Sequence, residues 1–291
     1  MSEPPFRSFL DLPRRPERDA DVVILPLPFE RTVSYGRGTA GGPGAILGAS
    51  AQIELFDEEV GHDFEAAPRI HTAPFLHPES GEEVPAYLDR VAARARGAGD
   101  RFVLGLGGEH TVTYGMVAGL PVDPANLTVV QIDAHADLID RLDGEEWSHG
   151  TVMRRLWELG VRLVQIGVRS VSREEHDFIT KGDRIRTFFA HEHRDRRLEI
   201  LDSLRALTGP VYLSLDVDGL DPSVISTTGT PQPGGLDWYE GVEIIRAVAE
   251  APAARLVGAD LVEYVPSPHP PGSDLAAAKL AVKILAYRFG G

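Results

Sequence analysis

Residues 129–138, VVQIDAHADL, decide both the predicted fold and the position of its site. The first four residues form a short, mostly apolar run that is typical of a buried strand. Asp133, His135 and Asp137 then follow at alternate positions, and alternate residues of a strand project from the same face. Because one unpaired buried charge is already costly, this strand end predicts a bound partner that neutralises the carboxylates.

Strands and helices alternate along the rest of the chain. Most of the short apolar runs are almost continuously hydrophobic, as expected when helices cover both faces of a parallel sheet. This alternation predicts one parallel α/β domain whose ligands bind beyond the carboxyl ends of the strands. The predicted strands are residues 21–28, 101–108, 127–134, 162–169, 184–190, 211–218 and 254–263, and the predicted helices are residues 42–55, 84–99, 110–120, 149–160, 196–209, 237–251 and 273–289.

Further ionisable side chains lie at the ends of three other predicted strands. His110 follows one strand, Asp216 and Asp218 lie at alternate positions at the end of another, and Glu263 ends the last. Facing rows of carboxylates repel each other unless a positive charge lies between them. Carboxylates with imidazoles suit manganese, zinc or iron, and the excess of oxygen ligands favours manganese. Four aspartates and two histidines can hold two metal ions, and such a pair can activate water.

Composition and charge limit the class of protein. The 291 residues carry a formal net charge of −15, which disfavours nucleic acid and anionic membranes as partners and favours a cationic small molecule. Cysteine is absent, and no apolar run approaches the roughly 18–20 residues of a membrane span. With no secretory signal, these features predict a cytoplasmic protein. We expect a surface arm over residues 1–20 and a single domain over residues 21–291.

Several blocks of the sequence resemble one known family. GGEHT (107–111), DAHAD (133–137) and SLDVDGLDPS (214–223) resemble its three metal-binding motifs. GTPQPGGL (229–236), DLVEYVP (260–266) and PFERTVSYGRGTAGGPGAI (28–46) resemble three further segments. The family is that of the ureohydrolases, the arginase and agmatinase superfamily, and the last segment is typical of agmatinases. The resemblance runs from about residue 20 to the C-terminus and implies a three-layer α/β/α sandwich around an eight-stranded, mostly parallel sheet.

The resemblance also implies two Mn²⁺ ions per subunit and a homo-oligomer, a trimer or hexamer. The implied reaction is hydrolysis of a guanidino group to urea and an amine. Asp137 would orient the nucleophile, Glu263 would hold the guanidinium in a forked pair, and His149 would carry a proton to the leaving amine. In the family pattern His110 and Asp137 would bind the first ion, His135 and Asp218 the second, and Asp133 and Asp216 both.

The loop LIDRLDGEEWSHG, residues 138–150, bears on the substrate. The blocks with which arginases bind the α-amino acid end of arginine are missing from it. An acidic, aromatic loop suits a substrate with a cationic far end, so we expect Glu146 and Trp147 to contact substrate. Agmatine, giving urea and putrescine in polyamine biosynthesis, is the first expectation. N1-aminopropylagmatine, giving spermidine, is the alternative.

Other activities remain open from the sequence. Arginase, guanidinobutyrase and formiminoglutamase activities are less favoured, although Arg141 or Arg169 could receive an acidic substrate. Asp221 is expected to shape the turn after the metal ligands. Two hypotheses of a different class are a non-catalytic pseudoenzyme and a single-zinc deacetylase. Metal content distinguishes the deacetylase, with one zinc ion per chain, from the ureohydrolase, with two manganese ions.

Overall fold

In the computed structural model, which describes residues 7–267 and 272–290, eight strands form one sheet in which every neighbouring pair is parallel. Two further short strands pair antiparallel outside it. The strands are β1 (Val22–Leu27), β2 (Phe56–Asp57), β3 (His62–Asp63), β4 (Ile70–Thr72), β5 (Phe102–Gly107), β6 (Thr128–Ile132), β7 (Arg162–Val168), β8 (Ile185–Phe189), β9 (Thr208–Asp216) and β10 (Ala253–Val262). Their order across the large sheet is β4-β1-β5-β10-β9-β6-β7-β8.

Helices cover both faces of this sheet, and the predicted three-layer α/β/α sandwich is confirmed. One apolar core packs under α1, α6, α7 and α8, and the second packs under α2, α3, α4 and α5. Across the described residues, no helix is both long enough and apolar enough to cross a membrane. The helices are α1 (Gly42–Ser50), α2 (Val84–Gly97), α3 (Val112–Ala118), α4 (Val152–Glu158), α5 (Arg173–Lys181), α6 (His193–Arg205), α7 (Trp238–Ala249) and α8 (Gly272–Phe289).

The continuous hydrophobic runs are explained by the two cores. In β6, Val129 faces one core while Val130 and Ile132 face the other, and each of these side chains is fully buried. A strand with both faces covered has no solvent side, so it shows no polar alternation. Gln131 interrupts this run, and its buried amide has a specific partner at the end of the strand, described below.

The four strands whose ends carry the ionisable residues are consecutive neighbours. β5, β10, β9 and β6 occupy the centre of the sheet in that order, and all run in the same direction. Parallel strands bring their carboxyl ends to one edge of a sheet, where ligands bind in folds of this class. The topology therefore gathers residues from four distant parts of the chain at one place.

Among the described strands and α-helices, four were not expected from the sequence. β4 has only three residues, too few to give a pattern, and it completes the eighth strand of the sheet. The β2–β3 ribbon is shorter still. Helix α5 is so polar that Glu175 is its only buried residue, although the capping box formed by Ser172 and Glu175 is a start signal in the sequence.

Part of the expected surface arm over residues 1–20 is docked on the domain. Phe9 and Leu10 are buried, and their backbone N–H groups donate to Thr72 Oγ1 and Ser50 Oγ, both at 2.9 Å. Two adjacent apolar side chains provide the free energy for this docking. Residues 1–6, 268–271 and 291 lie outside the described part of the chain, so the arm and the single domain over 21–291 are described only in part.

Candidate metal centre

The turn after β5 positions His110, the first histidine of the site. Gly108 lies so close to Phe29 that an added Cβ would be 2.1 Å from the Phe29 carbonyl oxygen. Only glycine permits this approach, and the backbone N–H of Gly108 donates to the Leu27 carbonyl oxygen at 2.8 Å. The chain then turns inward, which places His110 against the end of β9 with a side chain that is 1% exposed.

The predicted metal ligands meet in two groups. Of the residues that the structure describes, His110, Asp133 and Asp216 form one group whose ligand atoms lie within 4.8 Å of one another, and Asp133, His135 and Asp218 form the other. Asp133 belongs to both groups, as expected of a bridging ligand. Asp216 falls in the first group only, so its predicted bridging role stays a prediction.

The distances within these groups are short enough for shared cations. His110 Nδ1 lies 3.1 Å from Asp133 Oδ2, 2.9 Å from Asp137 Oδ2 and 3.5 Å from Asp216 Oδ2. His135 Nδ1 lies 3.1 Å from Asp218 Oδ2. Asp137 therefore lies next to the first group. Its backbone adopts a positive φ of 54°.

The electrostatics of the centre fit divalent cations. Burial, reinforced by the neighbouring Asp218 and Asp133 carboxylates, raises the pKa of Asp216 well above its usual range. Burial and then Asp133 likewise raise the pKa of Asp218. Carboxyl groups held in this way resist ionisation until a positive charge is placed among them. His110 Nδ1 is a buried nitrogen that faces the aspartates without a hydrogen bond of good geometry, so its lone pair can become a ligand.

A hydrogen-bond chain behind His110 directs that lone pair. The Ser214 hydroxyl donates to Asp260 Oδ1 at 2.7 Å, and His110 Nε2 lies 2.9 Å from the same hydroxyl oxygen. Because the hydroxyl hydrogen is engaged, the oxygen accepts from Nε2–H, which leaves Nδ1 facing the aspartates. The Tyr212 hydroxyl fixes the other oxygen of Asp260 at 2.7 Å. A carboxylate behind a metal-ligating histidine orients the ring and raises its basicity.

A second buried chain supports Asp133. Gln131 Nε2 donates to Asp133 Oδ2 at 2.7 Å, and its Oε1 accepts from Gln165 Nε2 at 2.6 Å. Gln165 Nε2 also donates to the Ala136 carbonyl oxygen at 2.7 Å, and its Oε1 accepts from Thr187 Oγ1 at 2.8 Å. Because a carbonyl oxygen can only accept, both amides have one possible orientation, and Gln131 presents its N–H to the carboxylate.

We expect Gln131→Leu to weaken metal binding about 10- to 100-fold, because it leaves the shared carboxylate without its orienting donor. The measurement is a titration of metal-free protein with Mn²⁺. The matched control is Thr187→Val, which acts at the far end of the same chain and should change affinity much less. Equal affinities for Gln131→Leu and the unsubstituted protein would contradict this role.

A small cavity of about 10 Å³ lies beside the centre, because two of its lining residues, Glu263 and Thr230, are hydrogen-bonded to His110 and Asp218. His149 and Glu263, the two residues expected to act on the substrate, both line it, together with Val33, Ser34, Glu109, Gly229 and Thr230. Burial, followed by the Glu109 charge, raises the pKa of Glu263 well above its usual range. A carboxyl group in this state gains from a bound cation such as a guanidinium.

His149 is held by residues that the sequence reasoning missed. It begins a short 3₁₀-helix, His149–Thr151, just before α4. Its Nδ1 lies 3.2 Å from Thr32 Oγ1, and its Nε2 lies 2.9 Å from Ser34 Oγ. Both hydroxyls belong to the segment 28–46, whose resemblance to agmatinases was the available signal. Burial lowers the pKa of His149 below its ordinary value, which favours the neutral ring.

In the loop 138–150, the two residues expected to contact substrate, Glu146 and Trp147, also contact other parts of the protein. The Glu146 carboxylate pairs with Arg141 at 2.8 Å and with Arg155 at 3.4 Å. Trp147 packs edge-on against Tyr114 with ring centroids 4.7 Å apart. Neither residue lines the small cavity or the larger cavity that adjoins it. Instead, Asp143 and Glu145 of the same loop line an outer cavity of about 390 Å³.

The candidate receptors for an acidic substrate have other partners. Arg169 donates to backbone carbonyl oxygens, among them Asp218 at 2.6 Å and Gln232 at 2.8 Å, and thereby fixes the turn after β9. Arg141 is paired with the loop, as described above. Asp221 accepts from the Ser223 and Gly234 backbone N–H groups at 3.0 and 2.9 Å, which is the turn-shaping role expected of it. The Ser223 side chain, together with these backbone contacts, lowers the pKa of Asp221 to about 2.

Comparison with known proteins places the chain in a family. The model of the arginase family matches residues 20–287. An N(1)-aminopropylagmatine ureohydrolase from Synechocystis is 37% identical over 278 residues, which cover 92% of this chain and 89% of that protein. An agmatinase from Pyrococcus horikoshii is 32% identical over 283 residues, covering 96% of both chains.

The fold agrees with this relationship. The crystal structure of the agmatine ureohydrolase of Thermoplasma volcanium superposes with a TM-score of 0.84 at 28% identity, covering 95% of this chain and 92% of that one. Together with the two metal-ligand groups, these similarities favour an enzyme over the non-catalytic protein and the single-zinc deacetylase. The chain is a metal-dependent ureohydrolase of the arginase family.

Proposed function

We propose that the enzyme hydrolyses the guanidino group of N1-aminopropylagmatine to give spermidine and urea, and that agmatine, which would give putrescine, is the second candidate. The observation that carries the guanidino assignment is the shared lining of one cavity, beside the metal-ligand groups, by Glu263 and His149. A buried carboxyl group that a cation would help to ionise, beside an imidazole, suits a cationic substrate that must lose an amine.

Two ions bound at this centre would lower the pKa of water and make a hydroxide nucleophile available at neutral pH. The chain's own residues perform the other tasks. Glu263 binds the guanidinium and fixes its carbon, and Asp137 orients the nucleophile. Both hydrogens of the consumed water end on the leaving amine nitrogen, and His149 carries one of them there while the carbon–nitrogen bond breaks.

The preference for the longer substrate is supported by the outer cavity. It is lined by Glu83, Asp143 and Glu145 against the single cation Arg31. Val33 lines both this cavity and the small one, so the two adjoin. A substrate with a guanidinium beside Glu263 and amines farther along its chain would place positive charge among these carboxylates.

The relatives also support N1-aminopropylagmatine as the first candidate substrate and agmatine as the second. Two proteins named N(1)-aminopropylagmatine ureohydrolase, from Synechocystis and Thermus thermophilus, are each 37% identical to this chain, whereas the agmatinase from Pyrococcus horikoshii is 32% identical. This order reverses the first expectation from the sequence, which ranked agmatine higher. The two activities differ only in the aminopropyl tail, a feature that the metal motifs do not encode.

Three further features belong to the proposal. The oxygen-rich donor set favours two Mn²⁺ ions per subunit. We also propose a cytoplasmic homo-oligomer, a trimer or hexamer, on the basis of the sequence resemblance and the composition. Metal analysis of purified protein and light scattering would test the metal and the assembly.

The test of the proposed function is urea release by manganese-loaded protein from N1-aminopropylagmatine, agmatine, arginine and guanidinobutyrate, each measured over a range of concentrations. We expect the highest kcat/KM with N1-aminopropylagmatine and little urea from arginine. A higher kcat/KM with agmatine would make the second candidate the substrate. Urea mainly from arginine or guanidinobutyrate would overturn the amine-tailed assignment.

The lining of the outer cavity predicts different changes in KM for the two amine substrates. In Asp143→Asn and Glu145→Gln, we expect KM for N1-aminopropylagmatine to rise about two- to fivefold per carboxylate, as for the loss of one exposed charge pair. KM for agmatine should rise less, because its shorter chain ends nearer the small cavity. Equal increases for both substrates would show that these carboxylates do not contact the aminopropyl tail.

A further inference from the structure

Glu109 is a buried carboxylate that connects the segment 28–46 to the edge of the sheet. Its side chain is 1% exposed. Its Oε2 accepts from the backbone N–H groups of Arg31 at 2.6 Å and Thr32 at 2.8 Å. Its Oε1 accepts from the hydroxyls of Thr111, at 2.7 Å, and Thr32. The residue immediately before a metal-ligating histidine therefore organises a loop from another part of the chain.

The direction of these hydrogen bonds determines what Thr32 offers to His149. The single hydroxyl hydrogen of Thr32 is donated to Glu109 Oε1, so its oxygen can only accept from other groups. The backbone N–H of His149 donates to that oxygen at 3.3 Å, and the ring atom Nδ1 lies 3.2 Å from it. Two accepted bonds fill the two lone pairs of the hydroxyl, and the second requires a hydrogen on Nδ1.

We propose that Glu109 and Thr32 are positioning residues that hold His149 as the Nδ1–H tautomer, with the Nε2 lone pair facing the small cavity. Ser34 Oγ, 2.9 Å from Nε2, then donates its hydrogen to that lone pair in the free enzyme. This arrangement resembles the carboxylate–histidine pairs that fix tautomers in other enzymes, with a hydroxyl inserted between the two groups. The neutral state favoured by the burial of His149 is consistent with it.

The Nδ1–H tautomer determines the ring atom at which His149 takes up a proton, and this inference rests on the proposed function. A ring with its hydrogen on Nδ1 can take up a proton only at Nε2, the atom on the cavity side. The same atom then delivers that proton to the amine nitrogen, so uptake and delivery occur without rotation of the ring. In the opposite tautomer, Nε2 would already carry a hydrogen and could accept none.

The test is a nitrogen-15 NMR spectrum of metal-free protein with labelled histidines, recorded at about pH 8, above the ordinary pKa of imidazole. The spectrum of His149→Asn identifies the signal among the ten histidines. We expect a protonated-type shift for Nδ1 and an unprotonated-type shift for Nε2. The reverse pattern in the unsubstituted protein would overturn the proposal without any variant.

Substitutions at Thr32 separate positioning from general loss of structure. Thr32→Val keeps the shape but not the hydroxyl, and we expect it to lose the Nδ1–H preference and to lower kcat about tenfold or more. Thr32→Ser keeps the hydroxyl and should restore both the tautomer and most of the activity. Ser34→Ala removes only the Nε2 partner and should leave the tautomer unchanged.

The two conclusions can fail separately. The tautomer is measured without metal or substrate, so an absence of urea release would overturn the proposed function and leave the NMR result standing. An unchanged tautomer in folded Thr32→Val would overturn the positioning role even if the unsubstituted enzyme releases urea normally.

Discussion

Asp133→Ala is expected to lower urea release by more than about a thousandfold, because this residue would help to hold both of the proposed metal ions that make hydroxide available. Asp133 is the one residue that belongs to both metal-ligand groups of the described chain. Its two oxygens face different histidines, with Oδ2 3.1 Å from His110 Nδ1 and Oδ1 3.6 Å from His135 Nδ1. Its loss therefore weakens both sites rather than one.

Metal content and thermal stability give independent measures of the same change. We expect fewer than two ions per chain by elemental analysis. Manganese at 100 times its Kd should stabilise the unsubstituted protein by about 2.7 kcal/mol, and the substituted protein by less. Asp202→Ala, at a side chain that is 76% exposed on α6, is the matched control and should behave as the unsubstituted protein. Two bound ions and normal turnover in Asp133→Ala would contradict the shared-ligand assignment.

The residues of the metal centre could be predicted because their information is local. DAHAD and the Asp216–Asp218 pair each follow an apolar strand, and the alternation within a strand fixes which side chains share a face. The parallel sheet then brings the strand ends together, because β5, β10, β9 and β6 are neighbours. A local pattern and one topological rule were sufficient to predict the location of this site.

The supporting groups could not be predicted, because their partners are far apart in sequence. Thr32 and His149 are separated by 117 positions, and no local pattern relates them. Gln131 and Gln165 meet only because β6 pairs with β7 in register. A glutamine in an apolar strand is a visible anomaly, but the acceptor of its N–H depends on the tertiary structure.

The expectation that Glu146 and Trp147 contact substrate rests on composition alone, and it stays a prediction. Glu146 and Trp147 were chosen because they are acidic and aromatic, and the structure pairs them with Arg155 and Tyr114. Asp143 and Glu145 have the same acidic character and line the outer cavity. Which carboxylates of a loop face a cavity depends on the path of its backbone, and here Asp143 turns with a positive φ of 51°.

Glu263→Gln is expected to separate substrate binding from metal binding. The carboxylate is anchored by its own backbone, since Glu263 N donates to the Gly108 carbonyl oxygen at 2.7 Å and Oε1 accepts from His110 N at 2.6 Å. The amide oxygen of glutamine can still accept from His110 N. Its amide nitrogen, however, would face the N–H groups of the guanidinium, donor against donor.

We therefore expect kcat/KM to fall at least about a hundredfold, because one charge-assisted hydrogen bond, contributing about 1.5–3 kcal/mol, is replaced by a donor–donor contact and the other loses its charge. Metal content should stay at two ions per chain, since Glu263 belongs to neither metal-ligand group. The Tm should stay unchanged or rise, because burial raises the pKa of this carboxyl and its charge opposes folding.

The control for Glu263→Gln is Glu54→Gln, a substitution of the same kind at an exposed position after α1, which should alter neither activity nor Tm. A combined loss of metal and activity in Glu263→Gln would make Glu263 part of the metal centre instead of the guanidinium receptor. An unchanged kcat/KM would mean that another group neutralises the substrate. We expect low activity with two bound ions and an unchanged or higher Tm. This combination indicates a buried carboxyl group that binds the substrate but destabilises the folded protein.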